Sequence, residues 1–117
     1  MGKKLCKPLR SVSMLEAIRK MKISDKPVMV QFKADWCGAC SAATPEIQKA
    51  SCVLEDDMEV IQVDIEQNAL IASEFEVQNL PTVMVVQQGQ VLSKMEGAGK
   101  ARDYTKMGRE WIQKHGS

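Results

Sequence analysis

Residues 36–40 read Trp36-Cys37-Gly38-Ala39-Cys40, and two cysteines at this spacing have the chemistry to pass a pair of electrons to or from another disulfide. Side chains three positions apart on a helix are neighbours, with Cβ atoms about 5–6 Å apart. A disulfide bridges a gap close to that. Gly38 and Ala39 leave the pair uncrowded. Upstream, Val28-Met29-Val30-Gln31-Phe32 is a short β-rich run, and downstream Ser41-Ala42-Ala43-Thr44 suits a helix. The pair is therefore expected at a strand-to-helix junction, with Cys37 at the helix N-terminus. Unpaired backbone N–H groups and the helix dipole favour a thiolate there. A thiolate beside a second thiol is a centre for dithiol/disulfide exchange.

Holding such a junction in place requires a sheet beneath it and helices around it. Ser13-Met14-Leu15-Glu16 has the pattern of a capping box. A helix is predicted from there to about Lys22, with Met14, Leu15, Ile18 and Met21 on its apolar side. A strand over 28–34 leads into the Cys37 helix, which is expected to reach Leu54 with a kink at Pro45. A second buried strand is predicted at 58–64. Asn68 is placed to cap a short helix over 69–75. Residues 82–86 form a third apolar strand, Gln88-Gly89 turns the chain, and 91–96 returns antiparallel. A last helix covers 101–114, with Tyr104, Met107, Trp111 and Ile112 as its apolar side. Residues 4–10 suit an edge strand, since Pro8 and the lysines discourage further pairing. Strands alternating with helices imply an α/β fold. Its mixed, mostly parallel sheet is flanked by helices on both faces.

The chain has 117 residues, 44% of them hydrophobic, which suits one compact domain over 1–117. Residues 1–11 are either an edge strand or a flexible basic N-terminus. With few aromatics, aliphatic side chains and eight methionines must fill the core. The net charge of +1 gives no case for nucleic acid. Seven bases against one acid crowd residues 1–22. A transit peptide would look similar, but residues 12–22 read better as structure. No apolar run approaches a membrane span, and no apolar stretch follows the basic start as in a secretory signal. Cys6, Cys52 and His115 do not make a zinc site with the Cys37 pair, so no metal is expected. Cys6 and Cys52 are expected to be bystanders, with Cys52 open to a regulatory or oligomeric role.

The chain resembles the thioredoxin family over residues 12–114. The resemblance rests on Phe32-Lys33-Ala34-Asp35-Trp36-Cys37-Gly38-Ala39-Cys40, on Pro45, on Val63-Asp64-Ile65, on Leu80-Pro81-Thr82, and on Gly89 and Gly97. It implies the thioredoxin fold, with Cys37 the exposed nucleophile and Cys40 the buried resolving thiol. It implies a cis Leu80–Pro81 bond facing the pair, with Leu80 pairing main chain to main chain with a bound peptide. Trp36, Gly38, Ala39, Gly97 and Ala98 would form a flat apolar rim around it. Protein disulfides would be the substrates. Electrons would come from NADPH through thioredoxin reductase, with no cofactor bound to this chain. A cytoplasmic monomer is expected, with a mitochondrial location as the alternative, serving cell redox homeostasis.

The chain departs from the family at three places. Ala39 stands where proline is usual, which should make the pair more oxidising. Gln31 stands where a buried acid is usual, and Gln62 where that acid's lysine partner is usual. A matched neutral pair removes a buried desolvation cost, but Gln31 cannot accept a proton from the resolving thiol. Lys33 replaces a frequent aromatic and is expected to be solvated, or else to add positive charge near Cys37. The favoured function is reduction of protein disulfides. A disulfide oxidase or isomerase is the alternative, and a non-enzymatic docking module is the third reading.

Overall fold

The computed structural model describes residues 6–115. Helix α1 is α-helical over Met14–Ile18 and continues as a π-helical turn over Arg19–Ile23. There follow β1 (Val28–Lys33), α2 (Gly38–Leu54), β2 (Glu59–Asp64), α3 (Ala69–Glu74), β3 (Thr82–Gln87), β4 (Gln90–Glu96) and α4 (Ala101–His115). The strands lie in the order β2-β1-β3-β4. Strand β1 runs parallel to β2, with Gln31 opposite Gln62, and antiparallel to β3, with Gln31 opposite Val83. Strands β3 and β4 form a hairpin whose turn residues, Gln88 and Gly89, both have positive φ.

The sheet is mixed, as expected, but with one parallel pair and two antiparallel ones it is not mostly parallel. Helix α3 has six residues and spans about 9 Å, less than the roughly 20 Å of a six-residue strand. It does not run the chain back along the sheet, and β3 runs opposite to β2.

Alternation along β1 sends Val28, Val30 and Phe32 into a cluster with Ala17, Met21, Ile71 and Phe75, beneath α1 and α3. Met29 faces the opposite cluster, where Ile47 and Leu54 of α2 meet Tyr104 and Met107 of α4. Helices thus cover both faces. The apolar side of α1 differs from the prediction. Ala17 and Met21 are buried, whereas Leu15 is 75% exposed and Met14 44%. Ala17 is small enough to bring the helix close to the sheet, and Leu15 lies about 200° round the helix from it. The capping box is half formed. The Glu16 N–H donates to Ser13 Oγ at 3.2 Å, but the Glu16 carboxylate turns away to Arg10.

Helix α2 reaches Leu54 with Pro45 inside it. Two more expectations change. Asn68 precedes α3 without a side-chain cap; its Nδ2 donates instead to the Asp64 carbonyl at 3.1 Å, closing the loop after β2. The expected edge strand shrinks to a parallel bridge between Ser11 and Gln62. The Val12 N–H donates to Gln62 O at 3.0 Å, and the Gln62 N–H to Arg10 O at 3.1 Å. Before that, the Leu9 N–H goes to Gln48 Oε1 at 2.6 Å, so the chain leaves the sheet edge and crosses α2. Residues 4 and 5 of the expected strand lie outside the described residues. Among the described residues no helix is long and apolar enough to cross a membrane.

Candidate active site

Strand β1 delivers the chain to Ala34-Asp35-Trp36, and the Cys37 N–H closes the turn on Ala34 O at 3.1 Å. Cys37 is the N-cap of α2, with extended backbone, and its Sγ accepts the Cys40 N–H at 3.0 Å. One of the unpaired donors at the helix start is thereby spent on sulfur. The same donor and the dipole of a 17-residue helix would stabilise a thiolate there. Cys37 and Cys40 are joined as a disulfide with Cα atoms 5.2 Å apart.

Cys37 is not the exposed residue the resemblance implied. It is 7% exposed and Cys40 2%. The Cys37 sulfur is turned inward to Cys40, and the pair packs with Ala34 against Ile65 and Leu80. The open surface is supplied by its neighbours: Trp36 is 68% exposed, and Gly38 and Ala39 are exposed too. The Leu80–Pro81 bond is cis, with Pro81 buried and Leu80 half-buried. The Gly97 N–H donates to Pro81 O at 2.9 Å, in the register that sets Thr82 opposite Glu96. This bond draws Gly97, at φ +86°, to Pro81, and the exposed Ala98 follows it. A side chain at residue 97 would be strained in that left-handed conformation.

Beneath the disulfide the two glutamines pair as a neutral couple. Gln62 Nε2 donates to Gln31 Oε1 at 2.9 Å, and Gln31 Nε2 to Thr44 Oγ1 at 3.3 Å. Thr44 in turn donates to Cys40 O at 2.9 Å. A continuous polar chain therefore joins β2, β1 and the first turns of α2. Lys33 is half-buried and is not paired to the cysteines. Its side chain is 18% exposed and reaches Asp35 at 3.3 Å and the buried Asp64 at 4.0 Å. Asp64 lies opposite it in the parallel register, which is why the ammonium is held back. Lys33, Cys40, Thr44 and Gln62 line a cavity of about 360 Å³.

Two site residues escaped the sequence reading. Thr44 was detectable as the position one helical turn after Cys40. Ile65 lies in a motif noted for resemblance alone. Cys6 and Cys52, expected as bystanders, are joined as a second disulfide with Cα atoms 5.3 Å apart. The crossing of the N-terminal segment over α2 brings them together. Among the described residues no group of three or more His, Cys, Asp or Glu is placed to hold a metal ion.

A disulfide-forming cysteine pair at a helix N-terminus, packed against Leu80 of the cis Leu80–Pro81 bond, is the site of a thiol–disulfide oxidoreductase. Comparison with known proteins agrees. The thioredoxin family model matches residues 10–109. The thioredoxin-like protein slr0233 of Synechocystis is 36% identical over 78 residues, 67% of this chain and 74% of that protein. A thioredoxin of Rickettsia typhi is 33% identical, over 78% of this chain and 83% of its own length. Thioredoxin Y1, chloroplastic, of Arabidopsis thaliana is 35% identical over 68% of this chain, but the match spans only 46% of that longer protein. Among solved structures, chloroplastic thioredoxin z has a TM-score of 0.76 at 19% identity, over 92% of this chain and 96% of its own. Thioredoxin from Malassezia sympodialis has a TM-score of 0.76 at 23% identity, over 99% and 100%. Those two structures establish the fold. The chain belongs to the thioredoxin family.

Proposed function

We propose that this chain reduces disulfides in protein substrates, with Cys37 as nucleophile and Cys40 as resolving thiol. The Cys37 thiolate attacks one sulfur of the substrate disulfide, forming a mixed disulfide and releasing the other sulfur as a thiolate. Cys40, losing its proton, attacks Cys37 Sγ. The Cys37–Cys40 bond forms, the mixed disulfide breaks, and the substrate leaves carrying two electrons. The observation that supports this assignment best is the 3.0 Å donation from the Cys40 N–H to Cys37 Sγ at the N-cap of α2, since it favours negative charge on Cys37. Trp36, Gly38, Ala39, Gly97 and Ala98 form the apolar rim in this reading, and Leu80 beside Pro81 offers main-chain groups to the substrate strand.

The oxidised pair is recharged from outside. The family resemblance favours an NADPH-dependent thioredoxin reductase as the donor, with no cofactor held by this chain. The protein acts as a monomer in a reducing compartment, the cytoplasm, in support of cell redox homeostasis. One observation favours a second reading. Ala39 and the neutral Gln31–Gln62 pair both weaken features associated with a strongly reducing site, so an oxidase or isomerase is the rival.

Equilibration of the Cys37–Cys40 pair against glutathione at pH 7 decides between them. The alkylated peptide that carries both cysteines is read by mass. A potential near about −270 mV, a general figure for thioredoxins, is the expected result. A value above about −200 mV, toward the range of isomerases and oxidants, would overturn the reductase reading. Covalent trapping of substrate by a Cys40→Ser variant, abolished by a further Cys37→Ser change, tests the division of roles.

A further inference from the structure

We propose that Cys6 and Cys52 form a second, reversible redox couple that fastens residues 6–12 across α2 and onto the outer edge of β2. The couple is separate from the active-site pair. Cys52 lies twelve residues beyond Cys40 on the same helix, about 18 Å along its axis. The two pairs cannot exchange within one molecule.

The surroundings of the second pair are built for exchange. Both cysteines are half-buried, not sealed in the core. Gln48, one turn before Cys52, places its Nε2 at 3.7 Å from Cys6 Sγ and 3.8 Å from Cys52 Sγ. It is a ready N–H donor to whichever sulfur becomes a thiolate when the bond opens. The same amide donates to Lys7 O at 3.0 Å and accepts the Leu9 N–H at 2.6 Å. One side chain thus serves both the sulfurs and the backbone of the strap. Further along, the Arg10 carbonyl and the Val12 N–H are taken by Gln62 of β2. Gln62 is also the first member of the polar chain that ends at Cys40 O. The strap is therefore anchored at both ends, by the disulfide at residue 6 and by the sheet edge at 10–12.

The oxidant is a low-molecular-weight disulfide such as glutathione disulfide. Its S–S bond breaks as the Cys6–Cys52 bond forms. Two electrons and two protons pass from the cysteine thiols, and two glutathione thiols are released. Glutathione drives the reverse reaction. Closing a bridge over a sequence separation of 46 residues restricts the unfolded chain, so the oxidised form should also be the more stable.

The test uses the full chain carrying Cys37→Ser and Cys40→Ser, in which only this pair remains. It is equilibrated across glutathione ratios at pH 7 and then labelled with a maleimide. We expect two labels per chain under reducing conditions and none under oxidising ones, in one two-electron step with no dimer. Two labels at the most oxidising ratio, stable single-glutathione adducts, or an interchain dimer would each overturn the couple. Fastening is read by trypsin. Lys7 precedes Pro8 and resists cleavage, so the informative bond follows Arg10, whose carbonyl is held by Gln62. Cleavage there should be at least tenfold slower in the oxidised form. Equal cleavage of the two forms would remove the strap from the proposal. In the otherwise unaltered protein, Cys6→Ser should lower Tm by about 5 °C or more. An unchanged Tm would show that the bridge holds nothing in place.

Discussion

In the proposed exchange, Gln31 bears on where the proton of Cys40 goes. It is fully buried and spends its oxygen on Gln62 and its amide on Thr44. A neutral amide cannot take the proton that Cys40 must lose when it attacks the mixed disulfide. That proton has to leave by another route, and the cavity lined by Lys33, Cys40 and Gln62 opens beside Cys40. Gln31→Asp should speed this second step near neutral pH by supplying a general base, by about tenfold or more. It should also lower Tm, because an unpaired carboxylate is then buried beside Gln62. Stopped-flow fluorescence from the exposed Trp36 reads the rate, and calorimetry reads the cost. A lower Tm with no gain in rate would mean that water already does the work. The paired change at 31 and 62 was legible in the sequence because the departures match across adjacent strands. Thr44 was not singled out, since its role appears only when the helix turns it beneath Cys40. The Cys6–Cys52 pair was illegible for a different reason. Its partners are 46 residues apart, and they meet where the N-terminal segment crosses α2.

At the scale of elements, α4 approaches α2 through Gly108. A Cβ there would lie 2.7 Å from Leu54 Cδ1 and 3.4 Å from Met29 Cε. Glycine costs helix α4 up to about 1 kcal/mol in propensity, yet it lets the two helices close over Met29. Gly108→Val regains part of that propensity. Against this stands overpacking of a filled core, at about 1–3 kcal/mol, so destabilisation should win by roughly 1–2 kcal/mol in urea unfolding. A variant at least as stable as the parent would show that Leu54 has room to move. Strands β1 and β3 and helices α2 and α4 followed from apolar runs and periodicity to within a residue or two. The direction of β3 did not, because apolar runs fix where a strand lies and not which way it pairs. The buried side of α1 was missed because Ala17, a small residue, decides which way that helix faces.

The whole molecule should be most stable on a plateau bounded by groups at both ends of the pH scale. The hydrogen bond from Arg10 holds the Glu16 carboxyl below its ordinary 4.5. The Ala101 N–H, then Lys49, does the same for Glu46. A lowered carboxyl pKa adds stability that is fully present above the ordinary value and is lost as pH falls through the folded one. Burial raises the Tyr104 hydroxyl above its ordinary 10.0. Its contribution is present below that value and is lost as pH rises through the folded one. Glu46→Gln should therefore flatten the acid limb of Tm against pH, and Tyr104→Phe the alkaline limb. An acid limb unchanged by Glu46→Gln would discount the contact with α4. Both carboxylates are half-buried and sit in ion pairs, so 1 M salt should shrink the acid limb in part.

The two borders of the sheet are finished differently. The β2 side is overlaid by Ser11 and Val12. Among the described residues no strand pairs with the β4 side, where Lys94 and Glu96 are exposed and the pairing takes an irregular step at Val85/Val86. Charge and a local twist of this kind keep a bare border from templating further strands. Crowding many copies together therefore tests Lys94 more than any residue near the sulfurs. Lys94→Val, beside Val91 and Leu92, should make concentrated stocks scatter light and bind thioflavin while dilute samples stay folded and active. Clear stocks would shift the safeguard to the irregular pairing alone. Shelf life in this molecule would then rest on an edge strand and not on the sulfurs.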